Sequence, residues 1–281
     1  MKPLSLTNIK YFCDAVRFKS LSASAKVNFV TLSAISQGIA NLEKSIGASL
    51  LAHHPNTFKL TPEGEAIFKK GIELLRNVDE LKSCLSDDIG ALEFASIYSF
   101  GLSLVPRYLK KFTQQFPNAK INFHLGNHRE IYELLRRGKI DFGIVGKEQN
   151  LSEYDRYDIY EGHFELYVGK HIKVTDQRKM KFILVDYEGN ENLHLRESYL
   201  KKFGQELPTT LKATSWEAIA NLVSQEVGVG YLPDYMIENQ IHLMKKCDLD
   251  LKLKKHPYEI SAIVPKGMRL RKSSEIFLSF F

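Results

Sequence analysis

The sequence is poor in cysteine and has no long apolar run. Its 281 residues include three cysteines, Cys13, Cys84 and Cys247, which are widely spaced and form no CxxC pair. That pattern indicates neither a disulfide framework nor a zinc site, and it fits a reducing compartment. No stretch reaches the roughly 18 apolar residues of a transmembrane helix, and the N-terminus has no signal-peptide pattern. We therefore expect a cytoplasmic protein with no membrane partner.

Catalytic signatures are also missing from the chain. It contains no HExxH and no GxSxG, and no GxGxxG follows a strand-like run. The Gly-x-Gly of "EVGVGYLP" is typical of a turn into a buried strand. The adjacent His53 and His54 favour a surface pair, because neighbouring side chains in a turn seldom share one metal ion. These absences predict that the chain is not an enzyme and has no cofactor and no metal.

Basic residues are concentrated near the N-terminus. Residues 1–60 carry seven Lys or Arg and two acidic residues, a net charge of +5, whereas the other 221 residues carry 32 basic and 31 acidic ones. A basic module joined to a near-neutral body favours a polyanionic partner for the first part alone, and a merely solvated basic surface is the alternative. The length suits two or three domains, and an apolar fraction of 44% is enough for their cores.

One segment of this basic module has two unlike faces. The stretch "TLSAISQGIANLEKSIG", residues 31–47, carries short hydroxyls and amides on one face, and Gly47 stops the helix. A shorter helix, "ASAKVN", precedes it and is capped by Ser20 or Ser22. A small hairpin follows, with two extended runs around the turn "HHPN". The opposite face of the longer helix is an apolar stripe at helical spacing: Ile35, Ile39, Leu42 and Ile46.

A short helix, a turn, a helix with a polar outer face and a hairpin together predict a winged helix-turn-helix. In such units the second helix lies in the major groove, and hydrogen-bonding side chains meet bases and phosphates there. A plain three-helix bundle with surface serines is the alternative, and the net charge of +5 favours double-stranded DNA. The predicted DNA contacts are the hydroxyl, amide and basic side chains of this segment: Thr31, Ser33, Ser36, Gln37, Lys26, Lys44 and Lys59.

A long linker helix is predicted next. Thr61-Pro62-Glu63 provides a capping hydroxyl, a proline where no N–H is needed and an acid near the positive helix end. Apolar residues then follow a heptad seam: Ile67, Gly71, Leu74, Val78, Leu81 and Leu85. Packing against a second copy would bury this seam, and packing against the body of the same chain is the alternative. We predict a homodimer whose contacts are Ile67, Leu74, Val78 and Leu81.

From Leu92 onward, strand-like and helical runs alternate. This alternation predicts α/β units with parallel sheets. Two sets of units suggest two similar lobes with a ligand cleft at the strand ends. The predicted domains are a winged helix-turn-helix at 1–61, a linker helix at 62–88 and an effector-binding domain at 89–281. Within the last domain, lobe I takes about 92–160 plus 266–281, and lobe II takes about 161–265.

Six motifs, in order along the chain, carry a resemblance to a known family: "YFCDAVRFKSLSASA", "LSAISQGIANLEKSIGASLL", "LTPEG", "LVPRYLKKFTQQFP", "LRRGKIDFGIV" and "EAIANLVSQEVGVGYLP". Over nearly its whole length the chain resembles the LysR-type transcriptional regulators. The resemblance implies an N-terminal all-α winged helix-turn-helix, a dimerising linker helix and an α/β effector domain of two periplasmic-binding-protein-like lobes. It also implies a homotetramer, with DNA and a small-molecule effector as partners.

Four positions depart from the family pattern. Leu32 stands where the family commonly has Gln, at the start of the recognition helix that enters the major groove. His53 and Asn56 replace wing arginines, so His53 is added to the predicted DNA contacts as a weaker phosphate partner. Asn28 stands where the second helix usually buries a leucine. We expect DNA binding that is weaker and more sensitive to salt.

The resemblance also places an effector site between the lobes. Ser99 matches the common effector-contacting hydroxyl, at a helix start that favours an anion, and His128 matches a second pocket position. A carboxylate at Asp186 disfavours a simple anion unless His128 is protonated, so a cationic or zwitterionic effector is allowed as well. The predicted effector contacts are Ser99, Phe100, Gly101, His128, Val145 and Gly146 in lobe I, and Val185 and Asp186 in lobe II.

Two functions fit these expectations. The leading interpretation is a ligand-responsive transcription factor, in which effector binding changes the angle between the lobes and so alters promoter binding or bending. The alternative is a cytoplasmic small-molecule-binding protein of periplasmic-binding-protein fold, with weak or lost DNA binding. The missing signal-peptide pattern and the basic N-terminal module favour the regulator.

Overall fold

The computed structural model describes residues 3–52, 58–83, 89–146, 151–174, 178, 180–186, 190–251, 253 and 255–281. Within these ranges the chain forms an N-terminal helical domain, a long linking helix and a mixed α/β domain. The helices of the first two parts are α1 (Leu6–Phe18), α2 (Leu21–Val27), α3 (Leu32–Ile46) and α4 (Pro62–Ser83).

Local hydrogen bonds define the ends of the N-terminal helices. The Ser20 hydroxyl accepts a bond from the Ala23 amide at 3.1 Å and so caps α2, and the Thr31 hydroxyl caps α3 through the Ala34 amide at 3.2 Å. Gly47 ends α3 with a φ of +83°, a left-handed conformation that favours glycine. The predicted apolar stripe of α3 is confirmed, because its first three members are buried against α1: Ile35, Ile39 and Leu42.

The predicted hairpin is present where the structure describes it. Leu51 and Leu60 form an antiparallel bridge, and the Ala52 amide donates to the Lys59 carbonyl at 2.9 Å. His53 and Asn56, predicted to lie in the wing, fall outside the described residues.

Helix α4 begins as the sequence predicts, with the Thr61 hydroxyl accepting from the Gly64 amide at 2.9 Å. One side of the helix completes the core of the N-terminal domain through Phe68 and Ile72. Gly71 belongs to that side, since a Cβ there would lie 2.8 Å from the sulfur of Cys13. The sequence had placed Gly71 in the dimer seam, and close packing on α1 is the physical reason that it lies elsewhere.

The remaining seam positions of α4 differ in their exposure. Leu74 is 39% exposed and Leu81 is 69% exposed. Val78 is half-buried, and Ile67 is half-buried against the N-terminal core. Leu85 lies outside the described residues. Dimerisation through this helix stays a prediction.

The α/β domain contains nine strands and six α-helices in its described residues. The strands are β1 (Leu92–Ile97), β2 (Ile121–Gly126), β3 (Phe142–Gly146), β4 (Tyr154–Gly169), β5 (Phe182–Val185), β6 (Thr209–Ala213), β7 (Val229–Pro233), β8 (Met244–Lys246) and β9 (Pro257–Pro265). The helices are α5 (Tyr98–Ser103), α6 (Val105–Gln115), α7 (His128–Arg136), α8 (Asn190–Phe203), α9 (Trp216–Ser224) and α10 (Lys272–Leu278).

Two long strands connect two parallel sheets. The strand order is β2-β1-β3-β9-β4-β7-β5-β6, with β8 beside β4. Strands β1, β2 and β3 pair in parallel in lobe I, and β5, β6 and β7 do so in lobe II. The long β4 and β9 are antiparallel to each other and run between the lobes. The expectation of two α/β lobes with parallel sheets therefore holds, with an antiparallel connection between them.

The boundary between the lobes differs from the predicted one at β9. The sequence assigned residues up to 265 to lobe II, but β9 pairs with β3 of lobe I from Gly143↔Ile263 to Gly146↔Ile260. The apolar run "EISAIVP" identifies a buried strand without identifying its partner, because pairing is decided by distant residues. The short strands β6 and β8 are further elements that the sequence did not predict.

A buried ionic cluster joins α4 to lobe I. The carboxylate of Asp141, which is fully buried just before β3, lies 2.9 Å from the Arg76 guanidinium and 3.3 Å from that of Arg271. Arg76 also donates to the Ile140 carbonyl at 3.2 Å, and the Ser274 hydroxyl donates to Asp141 at 3.2 Å. Burial raises the pKa of Asp141 against the opposing effect of the two guanidinium groups. These contacts tie the linker helix, β3 and the C-terminal segment together.

Removing one charge of this cluster should be costly. The change Arg76→Met leaves Asp141 with Arg271 as its remaining cation, and we expect the free energy of unfolding in urea to fall by about 3 kcal/mol. The matched control is Arg107→Met, because the exposed Arg107 meets Glu238 at 3.4 Å in solvent and should contribute less than about 1 kcal/mol. Equal losses in the two variants would contradict a stabilising role for the buried cluster.

Candidate nucleic-acid interface and effector site

The outward face of α3 is polar and accessible. Its exposed residues include Ser33, Ser36 and Gln37, which the sequence predicted as DNA contacts. The Gln37 side-chain amide donates to Asn41 at 3.2 Å, one turn further along the same face. Thr31 is exposed too, and its hydroxyl keeps a hydrogen to donate because it accepts from the Ala34 amide as the helix cap.

The basic side chains predicted to contact DNA are exposed, whereas the acidic ones of the module turn inward. Lys26 on α2, Lys44 on α3 and Lys59 in the hairpin are all exposed. The carboxylate of Glu43 instead accepts from the backbone amides of Leu50 at 2.7 Å and Leu51 at 3.3 Å. Asp14 is buried and paired with Lys10 at 2.9 Å. Both acidic residues of the basic module are thus engaged internally, which leaves a positive outer surface suited to phosphates.

The buried carboxylate of Asp14 accounts for the asparagine at position 28. Its side-chain nitrogen donates to Asp14 and to the Ser24 carbonyl, each at 2.9 Å, and its oxygen accepts from Lys10. A leucine here would bury apolar area but leave the Asp14 carboxylate without this donor. The departure from the family pattern therefore belongs to a polar network between α1 and α2, and the helix-turn-helix is intact around it.

The two lobes meet through α5 and the segment after β7. Tyr235, in a short 3₁₀ helix at Asp234–Ile237, donates its hydroxyl to Ser99 at 2.8 Å, and both groups are buried. The Asn239 amide donates to the Ser103 carbonyl at 2.7 Å. Ser99, the predicted effector-contacting hydroxyl, thus bonds across the lobe interface.

Four predicted effector contacts lie in the hydrophobic core. Phe100 is fully buried among the rings of Tyr160, Tyr235 and Phe281, and a Cβ at Gly101 would lie 2.3 Å from Leu125. Val145 packs under α7, and Val185 packs under α9. Their side chains are enclosed in the core, so an effector would reach these positions through backbone atoms, and the four contacts stay a prediction.

The other three predicted positions remain accessible in part. His128 begins α7 and is half-buried, and its Nε2 lies 3.8 Å from where a Cβ of Gly146 would be. Asp186 is exposed and pairs with Lys212 at 3.6 Å. His128 and Gly146 are thus brought together in lobe I, while Asp186 stands beside a cation in lobe II.

Sequence reasoning missed a polar cluster beside the lobe contact. Asp234 accepts from the backbone amide of His163 at 3.1 Å and from the Tyr258 hydroxyl. His163 also contacts Glu165 at 2.7 Å. Burial raises the pKa of Tyr160 to about 12, and burial together with the bond to Asp234 raises that of Tyr258, so both phenols stay protonated near neutral pH. The motif "LPDYM", directly after a buried parallel strand, was the available signal.

Two family profiles together match most of the chain. A family profile described as "LysR substrate binding domain" matches residues 86–281, and one described as "Bacterial regulatory helix-turn-helix protein, lysR family" matches residues 6–65. The chain is similar to the "HTH-type transcriptional activator CmpR" of Synechocystis sp., with 25% identity over 100% of this chain and 95% of that protein. It is also similar to the "Probable RuBisCO transcriptional regulator" of Trieres chinensis, with 26% identity over 86% of this chain and 84% of that protein.

Solved structures share the fold. A variant of full-length OxyR from Pseudomonas aeruginosa has a TM-score of 0.69 at 16% identity, covering 99% of this chain and 95% of that one. DarR from Vibrio fischeri, solved in complex with DNA, has a TM-score of 0.54 at 17% identity, with coverages of 99% and 98%. No described helix is long and apolar enough to cross a membrane. In the described part of the chain, no group of three or more His, Cys, Asp or Glu side chains suits a metal ion.

The bond between Ser99 and Tyr235 should hold the lobes together. The change Tyr235→Phe removes the donor and leaves the buried Ser99 hydroxyl without it, which should lower the free energy of unfolding by about 1–3 kcal/mol. We expect faster hydrogen exchange in α5 and unchanged exchange in α1, measured by mass spectrometry. The control is Tyr157→Phe, since Tyr157 is exposed. Unchanged exchange in α5 would show that the bond does not hold the interface.

Proposed function

Because this chain belongs to the LysR family of transcriptional regulators, we propose that α3 is its recognition helix and that the lobe interface passes an effector signal to the DNA. The chain is a DNA-binding regulator with an effector-binding domain. The proposed base and phosphate contacts are Thr31, Ser33, Ser36, Gln37, Lys26, Lys44, His53 and Lys59. We further propose that it acts in the cytoplasm, where it has access to its DNA.

One observation supports this assignment above the others: α3 has a carboxylate-free outer face. Hydroxyls and an amide on that face can bond to base edges or phosphates. The only acid of the helix, Glu43, bonds to backbone amides of the hairpin. An acid facing outward would repel the phosphates, so this inward bond makes the face compatible with a duplex.

The exposed leucines of α4 support an oligomer. Leu74 and Leu81 are exposed one heptad apart, and a second copy of the helix would cover both. We propose a homodimer through this side and a homotetramer from two dimers. Two recognition helices would then face half-sites one helical turn, or a multiple of it, apart, and one turn spans about 34–36 Å.

Effector binding has a physical route to the DNA-binding domain. A ligand at the lobe interface would meet Ser99 and Tyr235, and a change in lobe angle would move β9 and β3. Asp141 directly precedes β3 and forms an ion pair with Arg76 of α4. Such coupling typically amounts to about 1–3 kcal/mol. Because Asp186 is paired with Lys212, lobe II presents both charges, and we propose a zwitterionic or cationic effector.

The groove assignment is tested by changing two side chains of α3. Genomic DNA retained by the purified protein is first sequenced to define an operator. The double change Ser36→Ala and Gln37→Ala should then abolish specific operator binding in a mobility-shift assay, while the circular dichroism stays unchanged. The matched control is Thr113→Ala with Gln114→Ala, an exposed hydroxyl and amide on α6. Operator affinity that survives the α3 changes would refute the assignment.

The dimer seam is tested by introducing charge. Leu74→Asp with Leu81→Asp should give monomers in sedimentation, because two buried carboxylates on each helix would face each other across the seam. The control is Leu200→Asp, at a leucine of similar exposure on α8, which should leave the mass unchanged. Dimers that persist in the α4 variant would rule out the seam.

A further inference from the structure

The first residue of the recognition helix is an exposed leucine. Leu32 follows the capping Thr31 directly and is 48% exposed. It lies one turn before the exposed Ser36 and seven positions before the buried Ile39, so its side chain stands at the border between the outer face and the apolar stripe. The position that meets base edges earliest in a helix-turn-helix is thus apolar in this chain.

Leu32 is not needed to complete the core beneath it. Ile35 is fully buried, and Ile39 and Leu42 are nearly so, against α1. The preceding turn adds a second apolar group, because Phe29 is 95% exposed and has a φ of +55°, which is costly for an aromatic residue. Two large apolar side chains at the tip of a helix-turn-helix therefore stand in water in the free protein.

The charge around this tip decides what can cover it. Lys26 on the preceding helix is exposed, Lys44 is exposed in the last turn of α3, and the acidic residues of the domain bond internally. An exposed apolar group on a basic, carboxylate-free surface fits a polyanion that carries apolar groups on its edge. In the major groove the C5-methyl group of thymine is such a group. Its position distinguishes a T·A pair from A·T, G·C and C·G pairs.

We propose that Leu32 packs on a thymine methyl group in each half-site and so sets the base preference at that position. This inference rests on the proposed function of α3. A glutamine at the same place would instead read adenine through its amide. The chain therefore selects a thymine by apolar contact where hydrogen bonding would otherwise act.

Uracil substitution tests the contact without altering base pairing. Each thymine of the operator, identified from retained genomic DNA, is replaced singly by uracil, which removes only the methyl group. Wild-type affinity should fall about fourfold at the thymine that Leu32 contacts, and about sixteenfold when both half-sites are changed. The variant Leu32→Ala should bind the thymine and uracil operators equally well. The control Leu102→Ala, a leucine that is 49% exposed on α5, should keep the wild-type sensitivity.

The outcomes separate this inference from the function it rests on. The protein could bind its operator specifically although no thymine-to-uracil change lowers affinity in a way that Leu32→Ala removes. That result would overturn the contact and leave the regulator assignment standing. A methyl effect that is equal in wild type and Leu32→Ala would overturn it in the same way. Failure to retain any specific DNA would overturn both.

Discussion

The carboxylate of Asp141 lies fully buried where three distant parts of the chain meet. A charge in that position has to be neutralised by opposite charge, since burial alone would be strongly unfavourable. The linker helix supplies Arg76, and the C-terminal segment supplies Arg271 and Ser274. The orientation of α4 on lobe I is therefore held by partners that cannot be separated without leaving a buried charge. Direct contacts also join the two domains elsewhere, because Arg17 of α1 donates to the Gly138 carbonyl at 3.0 Å and Lys19 lies 3.4 Å from Glu133 of α7.

The two carboxylates of the N-terminal domain are also bonded to groups within the protein. Asp14 is buried and bonded to Lys10 and Asn28, and Glu43 bonds to backbone amides of the hairpin. Each acid thus stabilises a junction between elements and is also kept from the outer surface. A near-absence of acids in the first 60 residues would give a basic domain by itself. The inward bonding of the remaining two makes its outer face free of carboxylates.

The lobe interface combines a small number of hydrogen bonds with aromatic packing. The bond from Tyr235 to Ser99 is enclosed by Phe100 and Tyr160, whose rings contact that of Tyr235 edge-on. A ligand that bonds to Ser99 has to compete with this donor. Opening of the lobes would expose apolar rings, so the closed state is favoured until other contacts replace them. The proposed effector contact at Ser99 would couple ligand binding to lobe angle through this competition.

Much of the architecture follows from local pattern. The periodicity of residues 31–47, the caps Ser20 and Thr61 and the alternation after Leu92 each depend on neighbours within a few positions, so the sequence by itself determined the helix-turn-helix, the linker helix and two α/β lobes. Long-range pairing was decided only by the tertiary structure. It assigned β9 to lobe I, buried Val145 and Val185, and brought Tyr235 to Ser99, which is 136 positions away. The physical reason is that local periodicity identifies which face of an element is apolar, whereas the contacts of that face depend on how the whole chain closes.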